Sequence, residues 1–392
     1  RMGPVHIALP SDVARSLDHR TETDNEVRLD MQPSASPSEE EVQRIADAIR
    51  NARRPVVILG LDLDPQEDRG SVQRFVAKLG APVFVTPKAK GILAEDHALF
   101  AGVCAGVAAD KVIVEFLSRA DLLIGLGFDP VESDKLWHQT MKLISIGPVS
   151  IAAGAYSPLQ ECVGDLGELL PALGEMDLGS CEWSEVELNR FREQLSEALR
   201  PSHALNSGLS PYEATQRLRE LLPRGTIHVT DVGSVKFVTS QVWKTYEPLT
   251  FFVSNGLSSM GYGLPGAMAA KLLFPDRVVL CTIGDGGFGM TLSELETCAR
   301  HGIHFITVVY NDNGLSLIRV VQEYKGYPNY GVDFGAVDFN AAAEAFGAWS
   351  SRVETMDDLD RAVREGLRMR RPVVLDVVID PTEYRTHAAP AS

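Results

Sequence analysis

Apolar residues in this chain fall into short blocks separated by longer stretches of mixed character. Pro55–Gly60 holds Val56, Val57, Ile58 and Leu59 in succession, and Pro82–Val85, Leu122–Leu126 and Leu143–Ile146 repeat the pattern. An unbroken apolar run of this length between turn residues reads as a strand buried on both faces. The intervening stretches have helical spacing instead. Val42, Ile45, Ala46 and Ile49 fall on one face, and Ser71–Leu79 and Lys111–Arg119 behave alike, with a long loop through Gly91 and His97. Ser38-Glu39-Glu40-Glu41 predicts a capping box at the head of the first helix. Strands alternating with helices imply parallel pairing through crossovers, so residues 39–172 are expected to form one α/β domain.

A polar stretch follows, 173–209, with a helix expected at Ser184–Leu199, and it reads as a linker. Residues 210–392 resume the alternation. Strands are expected at Ile227–Thr230, Val278–Ile283, Phe305–Tyr310, Ala348–Val353 and Val373–Ile379, with helices including Tyr212–Leu222, Ser293–Arg300, Asn340–Phe346 and Met356–Met369. The fold class is therefore α/β, two doubly wound and mostly parallel sheets joined by linkers. At the other end, Val5, Ile7 and Leu9 alternate as in a strand with nothing before it to pair with. Residues 1–18 are read as the last strand of a third α/β domain, and the Pro- and Ser-bearing stretch 19–38 as a linker.

Charge and composition narrow the function. Lys and Arg number 37 against 53 Asp and Glu, a net charge of −16, which argues against nucleic acid as a general partner. No run approaches the ~20 apolar residues of a membrane helix, so no membrane partner is expected. The five cysteines are odd in number and far apart, which argues against a disulfide framework or a zinc site and for reduced thiols in a cytoplasmic protein. His301 and His304 read as surface residues at a helix end.

The chemistry collects where strands of the second domain end: Asp231 after the first, Gly284-Asp285-Gly286-Gly287 after the second, Asn311-Asp312-Asn313-Gly314 after the third. Ligands of such folds bind outside the carboxyl ends of the strands. A glycine-rich turn opening a helix lets backbone amides approach phosphate oxygens. Asp285 would repel a bare phosphate, and its place makes sense if a divalent cation lies between them; magnesium commonly joins one or two carboxylates to a diphosphate. Asp312 would be a second ligand and the Gly314 carbonyl a third. Either motif alone is an ordinary turn, and it is their joint placement on neighbouring strand ends that points to a metal.

Gly-Asp-Gly, a gap of this length and then Asn-Asp resembles the thiamine-diphosphate motif of the 2-keto-acid decarboxylase and acetolactate synthase superfamily. The likeness extends along essentially the whole chain. Ser254–Ala267 resembles the segment that holds the cofactor's pyrimidine, with the Ser258 carbonyl and Met260 amide facing it and Met260 as the apolar residue that bends the cofactor. Asp231-Val232-Gly233-Ser234 resembles the other diphosphate-contacting turn. Lys90–His97 and Gly125–Glu132 are similar to the central domain of these enzymes, and Gly125–Glu132 together with Asn311-Asp312-Asn313-Gly314 most resembles the catabolic, flavin-free acetolactate synthases. The resemblance implies thiamine diphosphate and Mg2+ as cofactors, a 2-keto acid such as pyruvate as substrate, decarboxylation and carboligation as chemistry, and a homodimer or homotetramer. It also implies an activating glutamate in an N-terminal pyrimidine-binding domain, so no catalytic residue is assigned here, and Glu294 and Glu296 read as structural or surface residues. Two departures stand out. Val321 occupies the place where acetolactate synthases carry the Trp or Gln that selects the acceptor, so the substrate is left open. Leu59-Gly60-Leu61-Asp62 has no glycine cluster, which argues mildly against bound flavin.

Two rival readings remain. Gly261-Tyr262-Gly263-Leu264-Pro265-Gly266 is a literal G-x-G-x-x-G, as in an NAD-dependent oxidoreductase, but a polar stretch precedes it where a strand is required. The chain could also be a non-catalytic cofactor-binding fragment.

Overall fold

The computed structural model describes residues 36–104, 110–132, 141–152, 157–201 and 205–388. The strand expected at Pro4–Leu9, and nearly all of 1–38, lies outside these. Among the described residues the expected pair of parallel sheets is present, six strands in each.

The first sheet comprises β1 (Pro55–Leu59), β2 (Val83–Val85), β3 (Phe100–Val103), β4 (Leu122–Leu126), β5 (Leu143–Gly147) and β6 (Gln160–Val163), in the order β3-β2-β1-β4-β5-β6. Every neighbouring pair is parallel. The order reverses between β1 and β4, and there the two loops close on each other: a Cβ on Gly60 would lie 2.4 Å from the Gly127 carbonyl oxygen. β3 and β6 were not anticipated. β3 carries Ala101 and Gly102, poor strand formers, and β6 is an edge strand with a half-exposed, polar first half.

The capping box at Ser38 and Glu41 is formed, and the helix it opens, Glu39–Arg50, buries Val42, Ile45, Ala46 and Ile49. The helix within 173–209 spans Glu185–Leu199, opened by a second capping box at Ser184 and Glu187. This stretch is packed: Leu188, Phe191, Leu195 and Leu199 are buried, Trp183 stacks on Phe116 at 4.5 Å, and its Nε1 donates to the Pro55 carbonyl at 3.0 Å.

The second sheet comprises β7 (Ile227–Thr230), β8 (Phe251–Val253), β9 (Val279–Gly284), β10 (Ile306–Asn311), β11 (Trp349–Val353) and β12 (Val373–Val378), in the order β11-β12-β10-β9-β7-β8, again parallel throughout. β8 has three residues and escaped notice. So did the helices Ser234–Val242, Gly263–Leu273, Ser316–Tyr324 and Tyr384–Ala388, and the helix read as opened by the glycine-rich turn begins inside that turn, at Asp285–Thr291. Two of them are rich in glycine, which disfavours helix in a local reading; here the sheet supplies the packing. The helix expected at Met356–Met369 ends at Gly366.

The sheets are joined through buried contacts. Lys90, from the first, is fully buried and lies 2.6 Å from Glu95 Oε1. Its ammonium donates to the carbonyls of Ser240 (2.9 Å) and Trp243 (3.0 Å), at the carboxyl end of the Ser234–Val242 helix. A cation there complements the helix dipole. Gln241 Nε2 donates to the Val103 carbonyl at 3.0 Å. The first sheet thus grips one end of a helix whose other end opens on the candidate site.

Candidate active site

In the second sheet, successive strands run outward from β7 in opposite directions, to β8 on one side and to β9 on the other. A crevice forms at such a switch point, outside the carboxyl ends of the strands. A cleft of about 560 Å³ lies there, walled by Val232, Gly233 and Ser234 after β7, by Gly284–Gly287 after β9, and by Asp312, Gly314 and Leu315 after β10. Of the ten residues singled out in the sequence, nine share this wall: Gly233, Ser234, Met260, Gly284, Asp285, Gly286, Gly287, Asp312 and Gly314. Ser258 is not on it. Its hydroxyl donates to the Ser254 carbonyl at 3.1 Å and accepts from Lys236 Nζ at 3.2 Å.

Each turn is shaped for close approach. Gly233 has φ +116°, a conformation reserved for glycine, and a Cβ there would meet nothing within 4 Å. It leads into the Ser234–Val242 helix. Ser234 Oγ is buried on the cleft wall and has no hydrogen-bond partner among the described residues. A buried hydroxyl without a partner is costly unless a ligand supplies one. Gly284 is the N-cap of the next helix and Asp285 its first residue, so the glycine-rich motif is itself helical.

The two aspartates form the electrostatic centre. Asp285 is buried. Its Oδ1 accepts from Gly286 N at 2.7 Å, and its Oδ2 from Asp312 N at 3.1 Å and Gly314 N at 3.3 Å. Burial raises its pKa, and these amides pull it back. Asp312 accepts from the Ser316 hydroxyl, and burial, followed by the charge of Asp285, pushes its pKa up to about 7. Two carboxylates held this close favour a proton or a cation between them. Among the described residues no group of three or more His, Cys, Asp or Glu side chains is arranged for a metal. A cation here would therefore draw further oxygens from the backbone and from a ligand.

Asp231 has a different part from the one its motif suggested. It is fully buried, with Oδ1 accepting from Gly263 N at 2.9 Å and Oδ2 from Gly261 N at 3.1 Å. The amides that a nucleotide pyrophosphate would need at G-x-G-x-x-G are thus already engaged. Gly287 packs on the same carboxylate, where a Cβ would sit 2.0 Å from Asp231 Oδ2.

Several wall residues were not singled out in the sequence. Ser316, the first residue of the helix after the Asn311–Gly314 turn, carries no separate signal in the sequence. Leu317 and Ile318 stand on the same unforeseen helix, with Val321 one turn further along and off the wall. Tyr384 arrives from the C-terminal helix with no local signal. Glu296 pairs with Arg300 on an exposed helix face, 3.0 Å apart, away from the cleft. No helix among the described residues is long and apolar enough to cross a membrane.

A parallel-sheet crevice with phosphate-type turns and paired carboxylates defines a diphosphate-cofactor enzyme. Comparison with known proteins specifies which. Residues 42–173 match the central domain, and residues 231–377 the C-terminal TPP binding domain, of thiamine pyrophosphate enzymes. The chain is 30% identical over 389 residues to an acetolactate synthase of Bacillus subtilis (strain 168), covering 96% of this chain and 67% of that protein. It is 27% identical to a probable acetolactate synthase large subunit of Methanococcus aeolicus (100% and 69% covered) and 26% identical to a 2-hydroxyacyl-CoA lyase of Oryza sativa subsp. japonica (97% and 70% covered). The chain belongs to the thiamine-diphosphate-dependent, acetolactate synthase-like superfamily of enzymes.

Proposed function

We propose that this chain binds thiamine diphosphate with Mg2+ in the β7/β9 crevice and acts on a 2-keto acid such as pyruvate, by decarboxylation and carboligation. Gly233, Ser234, Gly284, Gly286 and Gly287 would face the diphosphate. Asp285 and Asp312, with the Gly314 carbonyl, would hold the cation, and Ser258 and Met260 would meet the ring end. The observation that carries this reading is the placement of a partnerless buried hydroxyl, Ser234 Oγ, and of the Asp285 and Asp312 carboxyls on the wall of one cleft. One asks for an acceptor and the other for a cation, and a magnesium diphosphate supplies both.

When bound, the cofactor supplies an electron sink for loss of carbon dioxide. The chain's own residues fix its position: the Ser234 hydroxyl donates, the carboxylates bind the cation, and the Met260 side chain sets the shape of the cleft. Exposed apolar side chains of the second domain, Leu257 at 98%, Met290 at 62% and Tyr330 at 85%, support a homodimer or homotetramer. Leu317 and Ile318 would select the substrate, with Val321 behind them.

Titration calorimetry of the full chain with thiamine diphosphate, with and without Mg2+, tests the reading. Binding that requires Mg2+ and vanishes in Asp285→Ala is expected. Absence of binding to the wild type, or unchanged affinity in D285A, refutes the site. Binding without pyruvate consumption refutes the substrate reading and leaves a non-catalytic cofactor binder.

A further inference from the structure

We propose that Glu132, in the first sheet domain, is a positioning residue for the cofactor cleft of the second, acting through Asn255 to hold the Ser254–Met260 segment, with Lys236 completing the clamp. The inference rests on the proposed function for what the segment positions, but not for the clamp itself.

The segment needs an external hold. None of residues 254–260 is fully buried, Leu257 is almost wholly exposed, and Ser258 has φ 51°, a left-handed conformation that serine adopts at a cost. With no apolar anchor of its own, the segment is fixed by polar bonds. It matters because Met260, at its end, lies on the cleft wall, where its Cε would be 3.3 Å from a Cβ on Gly286.

Those bonds form one connected set. Glu132 is buried at the end of the short 3-10 turn Pro130–Glu132 that follows β4. It accepts from the Thr86 hydroxyl, from Lys88 N at 3.3 Å and from Asn255 Nδ2 at 3.1 Å. Asn255 Oδ1 in turn accepts from Lys236 Nζ at 3.3 Å, and the same ammonium reaches the Ser254 carbonyl at 3.4 Å and Ser258 Oγ at 3.2 Å. Lys236 stands two residues after Ser234, in the first turn of the helix that opens on the cleft. The Asn255 amide thus lies between a buried anion and a half-buried cation, its NH2 toward the carboxylate and its oxygen toward the ammonium. That orientation satisfies both charges, and neither alternative charge pattern does so without a second change.

This geometry dictates the test. In Glu132→Gln, three donors meet a side chain with one acceptor oxygen and two N–H groups, so at least one donor loses its partner. In Asn255→Asp, two carboxylates face each other. In E132Q/N255D the link between the two positions is restored with its direction reversed: the new amide at position 132 donates to the new carboxylate at position 255, which also pairs with Lys236, and only the 3.3 Å bond from Lys88 N, which shares that atom of Glu132, stays broken. Two readouts are measured on the full chain, amide hydrogen exchange of residues 254–260 without cofactor, and thiamine diphosphate affinity with Mg2+. Each single variant is expected to speed exchange of this segment, and to weaken binding, by about tenfold, the factor that ~1.4 kcal/mol for one charge-assisted hydrogen bond represents. The double variant is expected to recover most of both, short of the Lys88 N bond, while exchange in β7, β9 and β10 stays unchanged throughout. Unchanged exchange in the single variants, or no recovery in the double, overturns the clamp. If E132Q does not fold, Asn255→Ala on the rim carries the same exchange prediction. If the wild type binds no thiamine diphosphate, the proposed function fails, while the exchange experiment still decides the clamp.

Discussion

Replacing Asp312 by asparagine separates stability from cation binding. The carboxyl of Asp312 is pushed from its ordinary value of 3.8 up to about 7, first by burial and then by the charge of Asp285. A folded-state pKa above the unfolded one means that the folded chain holds the proton more tightly. Stability is then lost as pH rises from about 4 through about 7, and stays lost above. At ~1.4 kcal/mol per tenfold change in proton affinity the ceiling of that loss is ~4 kcal/mol, and solvent in the open cleft reduces it to ~2 kcal/mol. The substituted amide cannot ionise, so D312N gains stability over the wild type along the same pH range. It keeps an oxygen to accept from the Ser316 hydroxyl, so the local shape is retained. Urea unfolding in EDTA, without cofactor, at pH 5, 6, 7 and 8 reads this directly. The advantage of D312N should widen by ~1–2 kcal/mol across the series, and any fixed effect of the amide cancels in the comparison. With saturating Mg2+ and thiamine diphosphate the advantage should shrink, because the cation then compensates the carboxylates of the wild type. A gap of constant size from pH 5 to pH 8, or none, refutes the claim that burial and the neighbouring Asp285 raise the Asp312 carboxyl in the folded chain.

Two further perturbations test the supports of the cleft. Lys90→Met strips Glu95 of its partner and leaves the Ser240 and Trp243 carbonyls without a donor, at an expected ~3–5 kcal/mol in urea unfolding. K90M/E95L should regain most of that, and equal losses in the single and double variants would show that no buried charge was left uncompensated. Gly287→Ala places a methyl group 2.0 Å from Asp231 Oδ2. It should cost ~3 kcal/mol or more and abolish cofactor binding, since the buried Asp231 carboxylate must leave the Gly261 and Gly263 amides that hold it; a thermal melt within a degree of the wild type would refute the packing.

The strands and the cleft were legible in the sequence for the same reason. Strands buried on both faces leave continuous apolar runs, and these place Ile227–Thr230 to the residue and the neighbouring strands to within one or two. The polar residues at their carboxyl ends then fall together without further information, because parallel strands put all such ends on one edge. What escaped was decided by distance in the chain. β3 and β8 are short and become strands only because a neighbour offers its edge. The Gly263–Leu273 helix starts where it does because Asp231, some thirty residues earlier, takes the amides of Gly261 and Gly263. From local sequence that aspartate reads as a ligand-facing residue. Tyr384 reaches the cleft only through the packing of the terminal helix. Glu132 and Asn255 each look unremarkable alone, and only the juxtaposition of two sheets makes them a pair.

The charge distribution adds a constraint on how the cleft can hold its ligand. The chain carries a net charge of −16, and among the described residues lining the cleft none is Lys, Arg or His. Its cationic residues nearby are engaged elsewhere: Arg319 pairs with Asp333, and Lys236 is turned to the Ser254–Ser258 segment. A diphosphate entering this site meets two carboxylates, backbone amides and one free hydroxyl. Of the amides, those of Gly286, Asp312 and Gly314 already point at Asp285. Basic side chains would let a phosphate bind in part without a metal; among the described lining residues there are none, so under the proposed function the cation would have to supply nearly all of the positive charge. The same arrangement explains why the carboxylates are kept although they destabilise the folded chain. With their carboxyl pKa values raised by burial they oppose folding when ionised, and under the proposed function a divalent ion and an anionic ligand arriving together would offset this, which would make the site selective for the pair over either component.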